Sequence, residues 1–131
     1  MKKILFLITM VFSVAVFAQG PNDIVFATKT HKFGKIKQKV PVTYTFTFTN
    51  NGAKPAVIEF ANAECGCTTP VYSNAPILKG KSSTIKVTYN AEALGTFKKN
   101  VNVKFLDQQL PVVLTIEGEV LAPAPAKTKT K

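Results

Sequence analysis

The chain has 131 residues and a mass of 14.2 kDa, enough for one domain and too short for two. Hydrophobic types make up 46% and charged types 18%, which excludes a disordered polymer; two Cys exclude a disulfide-dense miniprotein. Lys+Arg is 17 against Asp+Glu 7, a formal charge of +10, and every one of these cations is Lys.

The first elements read as an export tag. Lys2 and Lys3 form a positive start, Ile4 to Phe17 is almost wholly apolar, and Val16-Phe17-Ala18 ends the run with small or branched residues. This is the pattern of a secretory signal peptide over residues 1–18, cut between Ala18 and Gln19. A membrane-spanning helix needs about 20 apolar residues, and this run is shorter. The expected product is periplasmic or secreted, begins at Gln19 and keeps no transmembrane anchor.

The rest of the chain predicts strands. Ile24 to Thr28 and His31 to Ile36 are two weak ones. From Val40 to Asn50, Val42, Tyr44, Phe46 and Phe48 fall on one face and Thr43, Thr45, Thr47 and Thr49 on the other. Period-two alternation of β-branched and aromatic residues is the strand signature. Asn50-Asn51-Gly52 then tolerates the backbone of a turn. Ala56 to Phe60 follows, with Ile58 and Phe60 on one side. Thr84 to Asn90 points Ile85, Val87 and Tyr89 inward, and Phe97 to Phe105 does the same with Val101, Val103 and Phe105. Leu110 to Val120 groups Leu110, Val112, Leu114 and Ile116 against Thr115, Glu117 and Glu119. Turn signals at Lys79-Gly80-Lys81, Glu92 to Gly95 and Asp107-Gln108-Gln109 separate them.

About seven short strands, each with one apolar face, predict an immunoglobulin-like antiparallel β-sandwich over residues 19–121. A small barrel is the alternative. The antibody hallmarks are missing: there is no Trp, and the two Cys are too close to bridge two sheets. Beyond residue 121 the run Ala-Pro-Ala-Pro-Ala-Lys-Thr-Lys-Thr-Lys predicts a stiff, solvated tail over residues 122–131.

Cys65-Gly66-Cys67 is the one chemical oddity. Three readings stand side by side. A local disulfide would add little stability, ~1.5 kcal/mol against roughly 4 for a bridge spanning sixty-odd residues, and a strained one would be readily reduced or exchanged. Two thiolates could instead hold copper or zinc, with His31 the sole imidazole in the chain to join them. Or the pair simply turns a corner.

The run Asn50-Asn51-Gly52, Pro55-Ala56-Val57-Ile58, Cys65-Gly66-Cys67-Thr68-Thr69-Pro70, preceded by Phe33-Gly34-Lys35-Ile36, resembles the family catalogued as domain of unknown function 1573. The resemblance covers roughly residues 23 to 120. It implies a secreted protein of the kind common in Bacteroidetes, with a fold similar to the immunoglobulin-like domains of cilium and centrosome proteins. It implies that Cys65, Gly66, Cys67 and Thr68 form the shared site, and it brings no agreed activity.

His31, among Lys29, Lys32 and Lys35, reads as a surface strand residue. Lys32, Lys35, Lys37 and Lys39 form a basic patch that could meet an anionic surface or guard a strand edge. Export and the lack of Arg disfavour nucleic acid. The acids show no paired spacing, the serines no nucleophile elbow and the glycines no phosphate cradle. The expectation is a non-catalytic interaction module without a cofactor, contacting an envelope or extracellular protein or an anionic surface by strand addition or through loops.

Overall fold

The computed structural model describes residues 23–125. The expected signal peptide over residues 1–18, and most of the expected tail, lie outside the described residues. Eight strands follow one another without a helix among them: β1 (Ile24–Phe26), β2 (Thr30–Lys37), β3 (Val42–Asn50), β4 (Ile58–Ala63), β5 (Thr68–Tyr72), β6 (Ser82–Tyr89), β7 (Gly95–Phe105) and β8 (Val112–Leu121). They form two four-stranded sheets, β1-β3-β6-β5 and β2-β8-β7-β4. Each sheet has two distinct edges, so the architecture is a sandwich and not a barrel.

The alternation read from the sequence explains the core. Phe46 and Phe48 of β3, Ile85 and Val87 of β6, Val103 of β7, and Leu114 and Ile116 of β8 are all at most 1% exposed. Each such side chain contributes about 1.5–3 kcal/mol of burial. Phe26, Phe48 and Phe105 meet across the sheets, with the Phe48 and Phe105 centroids 5.4 Å apart and the rings edge to face.

Four details differ from the pattern expected. The eighth strand, β5, was masked by Pro70 at its centre, since proline argues against a strand unless that strand is an edge. Leu110 does not join the inner face; it is 79% exposed, and β8 begins only at Val112. Ile58 and Phe60 do not share a face, because a bulge shifts the β4–β7 register between them and turns Ala61 inward with Ile58. Finally, β2 runs parallel to β8, not antiparallel, with its register broken between Lys32 and Lys35.

That break has a visible cause. Gly34 has φ 71°, a left-handed value that glycine adopts without a Cβ penalty. A Cβ on Gly118 of β8 would meet the Gly34 carbonyl oxygen at 2.8 Å and the Phe97 ring at 2.9 Å. The bulge of β2 and the inward-facing Phe97 therefore close over the one residue of β8 that has no side chain.

Candidate functional site

β4 ends at Ala63, and a four-residue connection, Glu64 to Cys67, carries the chain from the second sheet to the first. Its backbone is pinned on both sides. Glu64 N–H donates to the Asn100 carbonyl at 3.2 Å, and Asn90 N–H donates to the Cys67 carbonyl at 3.0 Å. Within it, Cys65 and Cys67 are joined in a disulfide, their Cα atoms 5.3 Å apart, inside the usual range for a bridge.

The two sulfurs are not equivalent. Both residues are half-buried, but Cys67 packs against the hydrophobic core and Cys65 does not. Thr68 is 4% exposed, and its hydroxyl oxygen lies 3.7 Å from both Sγ atoms. Disulfide sulfurs carry no hydrogen, so the Thr68 O–H is the donor. Gly66 is exposed, and beyond its neighbours Cys65 and Cys67 a Cβ built on it would meet nothing within 4 Å. The carboxylate of Glu64, the residue that precedes Cys65 in sequence, accepts from Asn100 Nδ2 at 3.3–3.4 Å.

The disulfide occupies both thiols that the copper or zinc reading needed, and the structure does not bring His31 to them. His31 lies on β2 and Cys65 follows β4, the two opposite edges of one sheet. Three strand spacings, about 14 Å, separate those edges. His31 is also not the surface residue expected. It is half-buried, its ring stacked on Tyr44 at 3.7 Å and edge-on to Phe33 at 4.6 Å, so it closes the gap between the sheets.

Lys32, Lys35 and Lys37 are exposed along β2, while Phe33 and Ile36 pack on the core; Lys39 sits in the following turn with φ 61°. The basic patch is partly answered by β8. Lys32 Nζ lies 3.5 Å from Glu117, and Lys35 is in register with Glu119. This is the arrangement of a guarded strand edge.

The four sheet edges differ sharply in what they offer. β1 is three residues long. β2 is bulged and lined with Lys. On β5, the Asn90-to-Cys67 bond fixes the antiparallel alternation, so that residues 68, 70 and 72 turn their backbone groups outward. Thr68 N–H is taken by the Cys65 carbonyl at 3.4 Å, and Pro70 has no N–H, which leaves Tyr72 as the one outward donor. On β4 the Glu64-to-Asn100 bond sets the opposite result. Ala61 and Ala63 turn N–H and C=O outward, with no proline or lysine in the strand and its only bulge at the start. Glu59 near its start is ion-paired with Lys104 at 3.1 Å, and Glu64 follows just past its end.

This edge and the role of Asn50 were not read from the sequence, and Thr68 entered the site only through the family resemblance, without its hydroxyl's place at the sulfurs. Asn50 is 1% exposed; its Nδ2 donates to the carbonyls of Lys54 and Ile77, both at 2.8 Å, and its Oδ1 accepts from Gly52 N–H at 2.9 Å. The Asn-x-Gly spacing carried that signal in part. A cavity of ~340 Å³ lies beside this turn, walled by Asp23, Lys54, Asp107 and Phe105.

Residues 24–120 match the family described as "Protein of unknown function (DUF1573)". A protein of unknown function from Porphyromonas gingivalis W83 superimposes with a TM-score of 0.64 at 15% identity, covering 73% of this chain and 46% of that chain. The chain thus spans about half the length of that protein. The PapD-like domain 7 of human CEP192 gives a TM-score of 0.66 at 7% identity, over 78% of this chain and 87% of that one. The VesB protease of Vibrio cholerae gives 0.60 at 12%, over 75% and 32%. At such identities the likeness is one of fold. Among curated proteins none matches the chain. Among the described residues no helix is long and apolar enough to cross a membrane.

Proposed function

This chain belongs to the DUF1573 family, and from that premise we propose that it is an exported, non-catalytic interaction module of the bacterial envelope that captures an extended polypeptide by strand addition along β4. The observation that carries this reading is the contrast among the four edges. Three are shortened, bulged and lysine-lined, or reduced to a single outward donor, whereas β4 keeps paired donors and acceptors at Ala61 and Ala63. An added strand gains main-chain hydrogen bonds from such an edge. Glu64, just past the end of β4, favours a partner strand with lysine or arginine on the facing side, Glu59 being already paired with Lys104. Export rests on the pattern of the first eighteen residues, and a periplasmic or secreted location follows from it.

The test uses a synthetic decapeptide of alternating valine and lysine as the probe, titrated calorimetrically. Wild-type protein should bind it saturably. Ala61→Pro removes an outward N–H that bonds nothing in the fold, so the protein should stay folded by circular dichroism while affinity falls at least about tenfold. Undiminished binding by folded Ala61→Pro, or no binding by the wild type at millimolar peptide, contradicts the reading.

A further inference from the structure

We propose that the Cys65–Cys67 disulfide is an exchange site for exposed protein thiols, in which Cys65 is the sulfur attacked and Cys67 the sulfur released. The inference stands on the β4–β5 corner alone and is independent of strand capture at β4.

Four observations converge. First, the bridge closes a loop of three residues, so chain entropy holds it weakly. Relative to a bridge closing sixty residues, its reduction equilibrium is easier by a factor on the order of 100. Second, the corner lies at the surface: Gly66 is exposed, Cys65 and Cys67 are half-buried, and no residue beyond these two crowds the glycine between them. Third, the sulfurs differ in setting, Cys67 lying on the core and Cys65 away from it. Fourth, Thr68 is one of two buried polar residues in the described domain, and its hydroxyl reaches no acceptor other than these sulfurs. A buried hydroxyl aimed at a disulfide is a donor waiting for a thiolate.

A partner thiolate attacks Cys65 Sγ along the S–S axis; the partner–Cys65 bond forms as the Cys65–Cys67 bond breaks. The bonding pair leaves on Cys67 Sγ as thiolate, where the Thr68 O–H donates to it. A second partner thiolate then attacks the partner sulfur of the mixed disulfide and expels Cys65. The partner dithiol is oxidised to a disulfide by two electrons, and the pair Cys65 and Cys67 is reduced by the same two.

Reduced glutathione serves as the probe. The purified, oxidised protein is mixed with millimolar glutathione, quenched in acid at intervals, and the adduct is mapped by peptide mass spectrometry. The expected result is an early glutathione adduct on Cys65, with Thr68→Val slowing the exchange about tenfold and Thr68→Ser restoring it. The serine rescue separates hydrogen bonding from mere packing, and the mapping needs no variant. An adduct predominantly on Cys67, a disulfide that survives millimolar glutathione intact, or equal rates for wild type and Thr68→Val would overturn the proposal.

Discussion

At the entry to β4, Asn50 is sealed from solvent and its amide makes three hydrogen bonds that tie together residues 50, 52, 54 and 77. At the exit, the chain turns through a half-exposed corner held by a sulfur bridge two residues wide, with one hydroxyl beneath it. The glycines tell the same story. Gly52 is required by space, since a Cβ there would lie 2.8 Å from the Asp23 side chain, whereas no residue beyond Cys65 and Cys67 crowds Gly66. One connection is committed to holding the sandwich shut. The other has chemistry in excess of what holding requires, and such an excess marks a place for encounter with another molecule.

Substitutions at the two ends should separate these roles. The largest effect belongs to Asn50→Ala, which strands the buried Gly52 amide, removes the side-chain donor to the Lys54 carbonyl and leaves the Ile77 carbonyl with Ala56 N–H alone. It should cost about 2–4 kcal/mol in urea denaturation, and a loss below 1 kcal/mol would erase the contrast. Next, Gly52→Ala should cost about 1–3 kcal/mol through overpacking against Asp23. Gly66→Ala should stay within about 0.5 kcal/mol in the same assay. Replacing both Cys65 and Cys67 with Ser should cost only about 1.5 kcal/mol, less than the single asparagine.

The smallest effect concerns pH. Burial raises the pKa of Tyr89 above its ordinary 10.0. Tyr89 pairs with Thr68 and stacks on Phe97 at 4.1 Å, so it underlies the disulfide corner. The unfolded tyrosine ionises first as pH rises, while the folded one resists. Its contribution is therefore intact below about pH 10 and is lost as pH climbs toward the raised folded value. Melting curves of wild type and Tyr89→Phe should run parallel from pH 7 to 9, with the wild type falling faster above 10.

Much of the fold was legible because β3, β6 and β7 alternate strictly, and alternation reports burial on one side of a sheet. The bulges were not legible. Gly34 and the Ile58–Phe60 shift depend on which strand lies opposite, information that no local window holds. β5 was hidden for a related reason: Pro70 is tolerable because its missing N–H would face outward, a fact of sheet position and not of sequence. The cysteine corner announced itself by residue type. Its asymmetry did not, because the difference between Cys65 and Cys67 arises from the core that Cys67 touches. Likewise the lysines of β2 read as a patch in one dimension. Glu117 and Glu119 come beside them only through the parallel β2–β8 pairing.

The claim that β4 is an unpaired, receptive edge is tested most directly by residue-resolved amide hydrogen exchange on the protein alone. The account predicts alternation along β4: slow exchange at Phe60, Asn62 and Glu64, whose amides bond to β7, and fast exchange at Ala61 and Ala63. Uniform protection across all five amides would mean that the edge is already covered, and β4 could not then be the strand that receives a partner.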